Sequence, residues 1–159
     1  MKVSNVITCH LSTPIYRQSS QSRDEYLEQQ RLYFNAQIKN RRSTYKGKSV
    51  RLAKSKLPGD ECFEKFIYGK EEYHKRADGA KAKPDRTRLE RINWIFEILD
   101  KYDSCKTCSS FFEYPDKNFK DRINITCYYN KYKIVISMVE DEDEYIVVSA
   151  FYLSPKTIK

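Results

Sequence analysis

RINITCYYNKYKIVISMVEDEDEYIVVSAFYL, residues 122–153, is the stretch whose reading decides the fold. In its first part Ile123, Ile125, Cys127 and Tyr129 alternate with Arg122, Asn124, Thr126 and Tyr128. That period of two belongs to a strand with one face on a core. Asn130-Lys131 reads as a turn. Tyr132 to Val139 is a nearly continuous apolar strand, the acidic run Glu140 to Glu144 makes the next hairpin loop, and Tyr145 to Leu153 is the last strand. Three strands joined by short loops predict an antiparallel meander, and Ser110 to Tyr114 offers a fourth at its start.

Upstream the period changes to that of a helix. After Pro84-Asp85, the side chains of Leu89, Ile92, Ile95, Phe96, Leu99 and Tyr102 fall on one face, which predicts a long helix over 86–102. Ser22-Arg23-Asp24-Glu25 is a capping box, and Leu27, Phe34 and Ile38 with Tyr26, Tyr33 and Gln37 follow at helical spacing, predicting a helix over 23–41. From Lys39 to Lys56 there are eight basic residues and no acidic one, read as a basic loop with a short strand at Val50 to Ala53. Leu57 to Asp60 is a turn signal, and the polar stretch Gly69 to Ala82 reads as mobile or ligand-facing. The expected class is α+β: N-terminal helices, then a 3–4-stranded antiparallel β-meander with the long helix packed on one face. Residues 1–56 form the N-terminal helix and basic loop and 57–159 the core, within a length that suits one compact domain.

Composition narrows the function classes. The 13 Tyr, 8 Phe and 1 Trp are more aromatic surface than a disordered chain carries. No run of apolar residues is long enough for a membrane span, and the first residues lack the apolar core of a signal peptide, so the expected compartment is the cytoplasm, with no membrane partner. Five cysteines form an odd set, for which reduced thiols are the expectation. Cys105-x-x-Cys108 has metal-type spacing without a second pair, so neither a metal nor another cofactor is expected. No phosphate-binding glycine loop and no Gly-x-Ser-x-Gly elbow occur.

The net charge of +8 is polarised: residues 1–91 hold 21 basic and 11 acidic side chains, residues 92–159 hold 9 and 11. A half with an excess of +10 attracts polyanions, nucleic acid above all, by phosphate neutralisation. Candidate backbone contacts are Arg41, Arg42, Lys46, Lys48 and Arg51 in the basic loop, with Lys81 and Arg86 before and at the start of the long helix. Lys83, Arg88 and Arg91 join them as a phosphate site, against the competing reading of a solvated face paired with Asp85 and Glu90. His74, between Lys70, Lys75 and Arg76, has the chemistry of a general acid or base.

Arg88-Leu89-Glu90-Arg91-Ile92-Asn93-Trp94-Ile95 resembles the "R-x-E-R-I-x-W" helix of phage- and toxin-associated nucleases of the barnase, EndoU, colicin and RelE-like (BECR) superfamily. Tyr145 to Tyr152, ending in Ser149-Ala150-Phe151-Tyr152, resembles that family's closing strand, which commonly ends in Thr-Ala-Tyr, and Tyr132 to Val139 resembles the strand before it. The resemblance covers residues 62–155 and not the first 55. It implies a BECR-like core and a metal-independent endoribonuclease, often a toxin held inactive by a partner. In such enzymes the 2′-OH attacks the adjacent phosphate, which needs a general base, a general acid and cations on the phosphorane.

Carried over by position, Arg88 and Arg91 would hold phosphate with Glu90 adjacent, Ser149 stands where the family has Thr, and Phe151 or Tyr152 stands where it has Tyr. His74 and Lys83 are assigned on chemistry, as acid–base candidates from the segment before the helix. Trp94 and Ile92 are read as core. The implied partners are RNA, tRNA or mRNA among them, and an acidic protein inhibitor or antitoxin that masks a basic site, as in a toxin–antitoxin or anti-phage system. Two readings compete with the nuclease: a non-catalytic nucleic-acid-binding protein that grips backbone and stacks bases, and an adaptor for an acidic protein.

Overall fold

Helix α1 (Arg23–Asn40) starts on the capping box read from the sequence: the Ser22 hydroxyl accepts from the Glu25 N–H at 3.1 Å, and the Glu25 carboxylate accepts from the Ser22 N–H at 2.8 Å. The computed structural model describes residues 11–54, 62–139 and 143–153. The Leu57–Asp60 turn and the Glu140–Glu142 part of the acidic loop lie outside them. The buried stripe of α1 is Tyr26, Gln30 and Phe34, each four residues from the next. Tyr33, expected on that stripe, points to solvent instead because it lies off the i, i+4 row through Phe34, and Ile38, which continues that row, is exposed in the last turn of the helix.

Phe34 is fully buried, with its ring 5.6 Å from Phe63, 6.1 Å from Phe66 and 5.4 Å from Phe96. Phe63 and Phe66 belong to α2 (Phe63–Ile67), which is followed by α3 (Lys70–Ala77). A helix therefore occupies much of the Gly69–Ala82 stretch, whose polar composition reads as mobile or ligand-facing.

The expected long helix is three short ones: α4 (Arg86–Glu90), α5 (Trp94–Asp100) and α6 (Tyr102–Cys105). Long-range partners take the carbonyls that a continuous helix would use. The Leu89 carbonyl accepts from the Gln30 side chain at 2.9 Å, and the Glu90 carbonyl accepts from the Ile15 N–H at 2.9 Å. Arg91 and Trp94 close the gap with three-residue turns back to Arg88 and Arg91. The apolar face survives the break, since Leu89, Ile92, Ile95, Phe96 and Leu99 are all buried.

Six strands form one sheet rather than three or four: β1 (Thr44–Tyr45), β2 (Lys48–Leu52), β3 (Phe111–Pro115), β4 (Arg122–Cys127), β5 (Tyr132–Val139) and β6 (Glu144–Tyr152), in the order β1-β2-β6-β5-β4-β3. The meander β3 to β6 is antiparallel as expected, but β2 lies parallel to β6, pairing Val50 with Tyr145 and Leu52 with Val147. The basic loop is thus a hairpin: Lys46 and Gly47 both adopt positive φ, 50° and 81°, the two-residue turn that suits strand twist. β4 ends at Cys127, and Tyr128 and Tyr129 are exposed in the turn before β5. Helices cover the face carrying Phe111, Ile125, Tyr132, Ile134, Ile136, Val147 and Ala150, and one buried cluster joins that face to Phe34, Tyr45 and Leu52 from the first 56 residues.

At one end of this core the hydroxyls of Tyr45 and Tyr102 both donate to the Glu113 carboxylate. Burial and that carboxylate push the Tyr102 phenol up to about 12, and burial pushes Tyr26, Tyr45, Tyr68 and Tyr132 up as well. Each of these groups favours its neutral form when folded, so the stability it lends is present below the ordinary value of 10.0 and is lost as pH rises above it. The melting temperature is expected to hold up to that pH and to fall steeply between 10 and 12. Phenolate absorbance should show these five tyrosines ionising only as the chain unfolds, and a smooth titration of all of them near 10.0 would contradict their burial.

Candidate active site

Arg88 and Arg91 leave α4 and the turn after it toward the end of β6. The Arg88 guanidinium lies 5.3 Å from the centre of the Phe151 ring, and that of Arg91 lies 4.2 Å from Tyr152 and 5.4 Å from Trp94. Tyr132 stands behind them in β5, its ring 5.3 Å from Trp94. Trp94 is core as expected, with its indole N–H donating to the Ser12 carbonyl at 2.8 Å, and it also forms one wall of the Arg91 site.

A β-bulge settles which closing-strand aromatic faces which way. Val135 pairs with Ser149 and Ile136 with Val147, so β6 carries Val148 as an extra residue between them. Because of that extra residue Val147 and Ala150, three apart, both face the core, and alternation then turns Tyr152 to the helix side and Ser149 and Phe151 to the opposite face. Tyr152 meets Arg91 on the helix side, and Phe151 meets Arg88 and, at 5.8 Å, the Lys133 ammonium.

Both guanidiniums are largely withdrawn from water, with side chains 17% and 12% exposed. Burial pulls the Arg88 guanidinium below its ordinary value, opposed by Asp85 at 3.9 Å, although an arginine stays protonated at any physiological pH. Among the described residues the Arg88 guanidinium makes no hydrogen bond, and the buried Nε of Arg91 has no partner. Arg91 otherwise donates from Nη1 to the Thr87 carbonyl at 3.2 Å and to Glu90 at 3.3 Å. Two desolvated cations with unfilled donors, braced by aromatic rings, suit an oxyanion with several acceptor oxygens, such as a phosphodiester. Burial pushes the Tyr132 phenol up, and the charges of Arg88 and Arg91 oppose that shift.

The other expected residues are dispersed. His74 is exposed on α3, with its ring 6.4 Å from that of Tyr73, and its side chain makes no hydrogen bond or ion pair among the described residues. Lys83 and Arg86 line a groove beside α1, and Lys81 is exposed in the segment before α4. Ser149 is half-buried in β6. In the basic hairpin Arg41 pairs with Asp100, Lys46 lies 3.9 Å from Glu113, Lys48 pairs with Asp143, and Arg51 lies 2.5 Å from Glu144. The parallel β2–β6 pairing brings the last two carboxylates there, so Arg42 is the one of these five cations without an ion pair among the described residues. Surface pairs of this kind are weak, about 0–1 kcal/mol, and yield to a phosphate. Sequence reasoning offers Phe151 as an alternative to Tyr152 but misses the part that Tyr132 plays beside Trp94 and the arginines; the aromatic residue at the start of β5 is the signal that points to it.

Cys62, Cys105, Cys108 and Cys127 are thiols outside any disulfide, and no group of three or more His, Cys, Asp or Glu that could hold a metal occurs among the described residues. Among these residues no helix is long and apolar enough to cross a membrane. Compared with protein-family models, with curated proteins and with solved structures, the chain gives no match.

Proposed function

We propose that this protein is a metal-independent endoribonuclease of the toxin type, with Arg88 and Arg91 holding the phosphate that is attacked. The observation that carries the reading is the convergence of the two arginines with Phe151 and Tyr152, because the resemblance implied these positions as one site although they lie some sixty residues apart. In the reaction a general base takes the proton of the 2′-OH, its oxygen attacks phosphorus, and the 5′-oxygen leaves with a proton from a general acid. The products carry a 2′,3′-cyclic phosphate and a 5′-OH. Arg88 and Arg91 act on the charge that builds up on the phosphorane, Tyr152 braces Arg91, and the Ser149 hydroxyl offers a hydrogen bond to phosphate or ribose.

His74 is the proposed proton-transfer group, supplied from α3. His74→Ala is expected to lower the cleavage rate about 10²- to 10⁴-fold while leaving RNA affinity unchanged. An unaltered rate would remove His74 from the mechanism. A basic site of this kind fits an acidic inhibitor protein that covers it.

The test is incubation with total RNA and with a labelled single-stranded RNA in EDTA. Defined fragments ending in 2′,3′-cyclic phosphate support the proposal. Intact RNA with salt-sensitive binding favours the second reading, a non-catalytic RNA-binding protein, for which the exposed His74 side chain, with no hydrogen bond or ion pair among the described residues to orient it, speaks.

A further inference from the structure

Arg17, Arg23, Lys83 and Arg86 line a groove of about 420 Å³ between the start of α1 and the start of α4, floored by Tyr26, Leu27 and Leu89. Three separate stretches of chain supply these cations, and Asp24 is the one acidic residue among the lining groups. Arg17 donates to the Gln21 carbonyl at 2.6 Å, and Arg86, its side chain 84% exposed, lies 3.5 Å from Glu90. Among the described residues the side chains of Arg23 and Lys83 have no hydrogen-bond or ion-pair partner. Four like charges around one groove repel one another; Asp24 in the lining, Glu90 beside Arg86 and Glu72, which accepts from the Lys83 N–H at 2.9 Å, offset three of them, so a net positive charge remains and the groove favours an anionic occupant. The apolar floor suits a ligand with an uncharged body, and the volume lies in the range of sites for single small ligands. The Tyr26 hydroxyl is already committed to the Ile15 carbonyl, which leaves its ring as part of that floor.

We propose that this groove is a second phosphate subsite, which holds one nucleotide of the RNA strand whose reacting phosphate lies at Arg88 and Arg91. The inference rests on the RNA reading above. Arg86 and Arg88 are two positions apart on α4 and so project about 200° apart around a helix roughly 10 Å across. A strand that crosses α4 meets the groove on one side and the arginine pair on the other. Lys83 then serves in substrate positioning, and Arg17 and Arg23 give the N-terminal segment, which lies outside the family resemblance, a role in binding.

The test measures binding of a labelled single-stranded 2′-O-methyl RNA, which lacks the attacking hydroxyl, to the full chain across a salt series. The Arg17→Gln, Arg23→Gln variant is expected to flatten the dependence of log affinity on log salt by about 0.7, the amount for the one phosphate that is no longer neutralised. Lys83→Gln alone should flatten it by up to the same amount, and the triple variant by no more than about 0.7 in all. A control of equal charge loss, Lys117→Gln with Lys120→Gln, should leave the slope unchanged. An unchanged slope in the groove variants, or an equal change in the control, overturns the subsite while the wild-type slope keeps the RNA reading standing. No binding by the wild type overturns the RNA reading and the subsite with it. Loss of an acidic protein partner without any effect on RNA would assign the groove to that partner instead.

Discussion

Replacing Arg88 and Arg91 together by Lys is expected to lower RNA cleavage by at least about 10³-fold while the fold persists. Removing one preorganised donor from a charge-stabilising site costs about 10² to 10³ in rate. The Lys variants keep the charge but lose the planar fork that stacks on Phe151 and Tyr152 and offers paired N–H groups to a phosphate. Each change alone should cost less than the pair, and the two effects should not add, because both guanidiniums address one anion. Initial rates on a labelled RNA in EDTA, beside melting curves, check this. Full activity in the double variant would place the chemistry elsewhere.

Phe34→Ala is expected to destabilise the protein by about 3–5 kcal/mol, the usual cost of removing a large aromatic side chain from a well-packed core. Phe34 is fully buried, and its ring meets those of Phe63, Phe66 and Phe96, so it joins α1 to α2 and α5. No rearrangement of one helix alone can fill the space it leaves. Chemical denaturation of the two proteins measures the difference. A loss below about 1 kcal/mol would mean that α1 is not packed on the core through this residue.

The strands of the meander were legible because period two is a local property: Ile123 and Ile125 share the helix-covered face with Tyr132, Ile134 and Ile136. Helix α1 was legible through its capping box. The break after Glu90 was not, because its cause is the capture of two carbonyls by Gln30 and Ile15, residues far away in the chain, while the apolar period ran on undisturbed. The parallel pairing of β2 with β6 was hidden for the same reason. A strand whose apolar residues are Val50 and Leu52, set among cations, carries no local sign of its neighbour. In the site, Arg88, Arg91 and the closing strand were legible together, but the choice between Phe151 and Tyr152 depended on the bulge at Val148, which shifts the register by one and has no sequence signature. Arg17 and Arg23 were not legible, because isolated cations gain meaning only when three segments converge.

The most direct measurement of the central claim is the cleavage, in EDTA, of one labelled single strand made as RNA and again as DNA. The mechanism requires the 2′-OH as nucleophile and no metal. The expected result is RNA cut to fragments with 2′,3′-cyclic phosphate ends and DNA left intact. Cleavage of both strands, or of neither while RNA still binds, would contradict it.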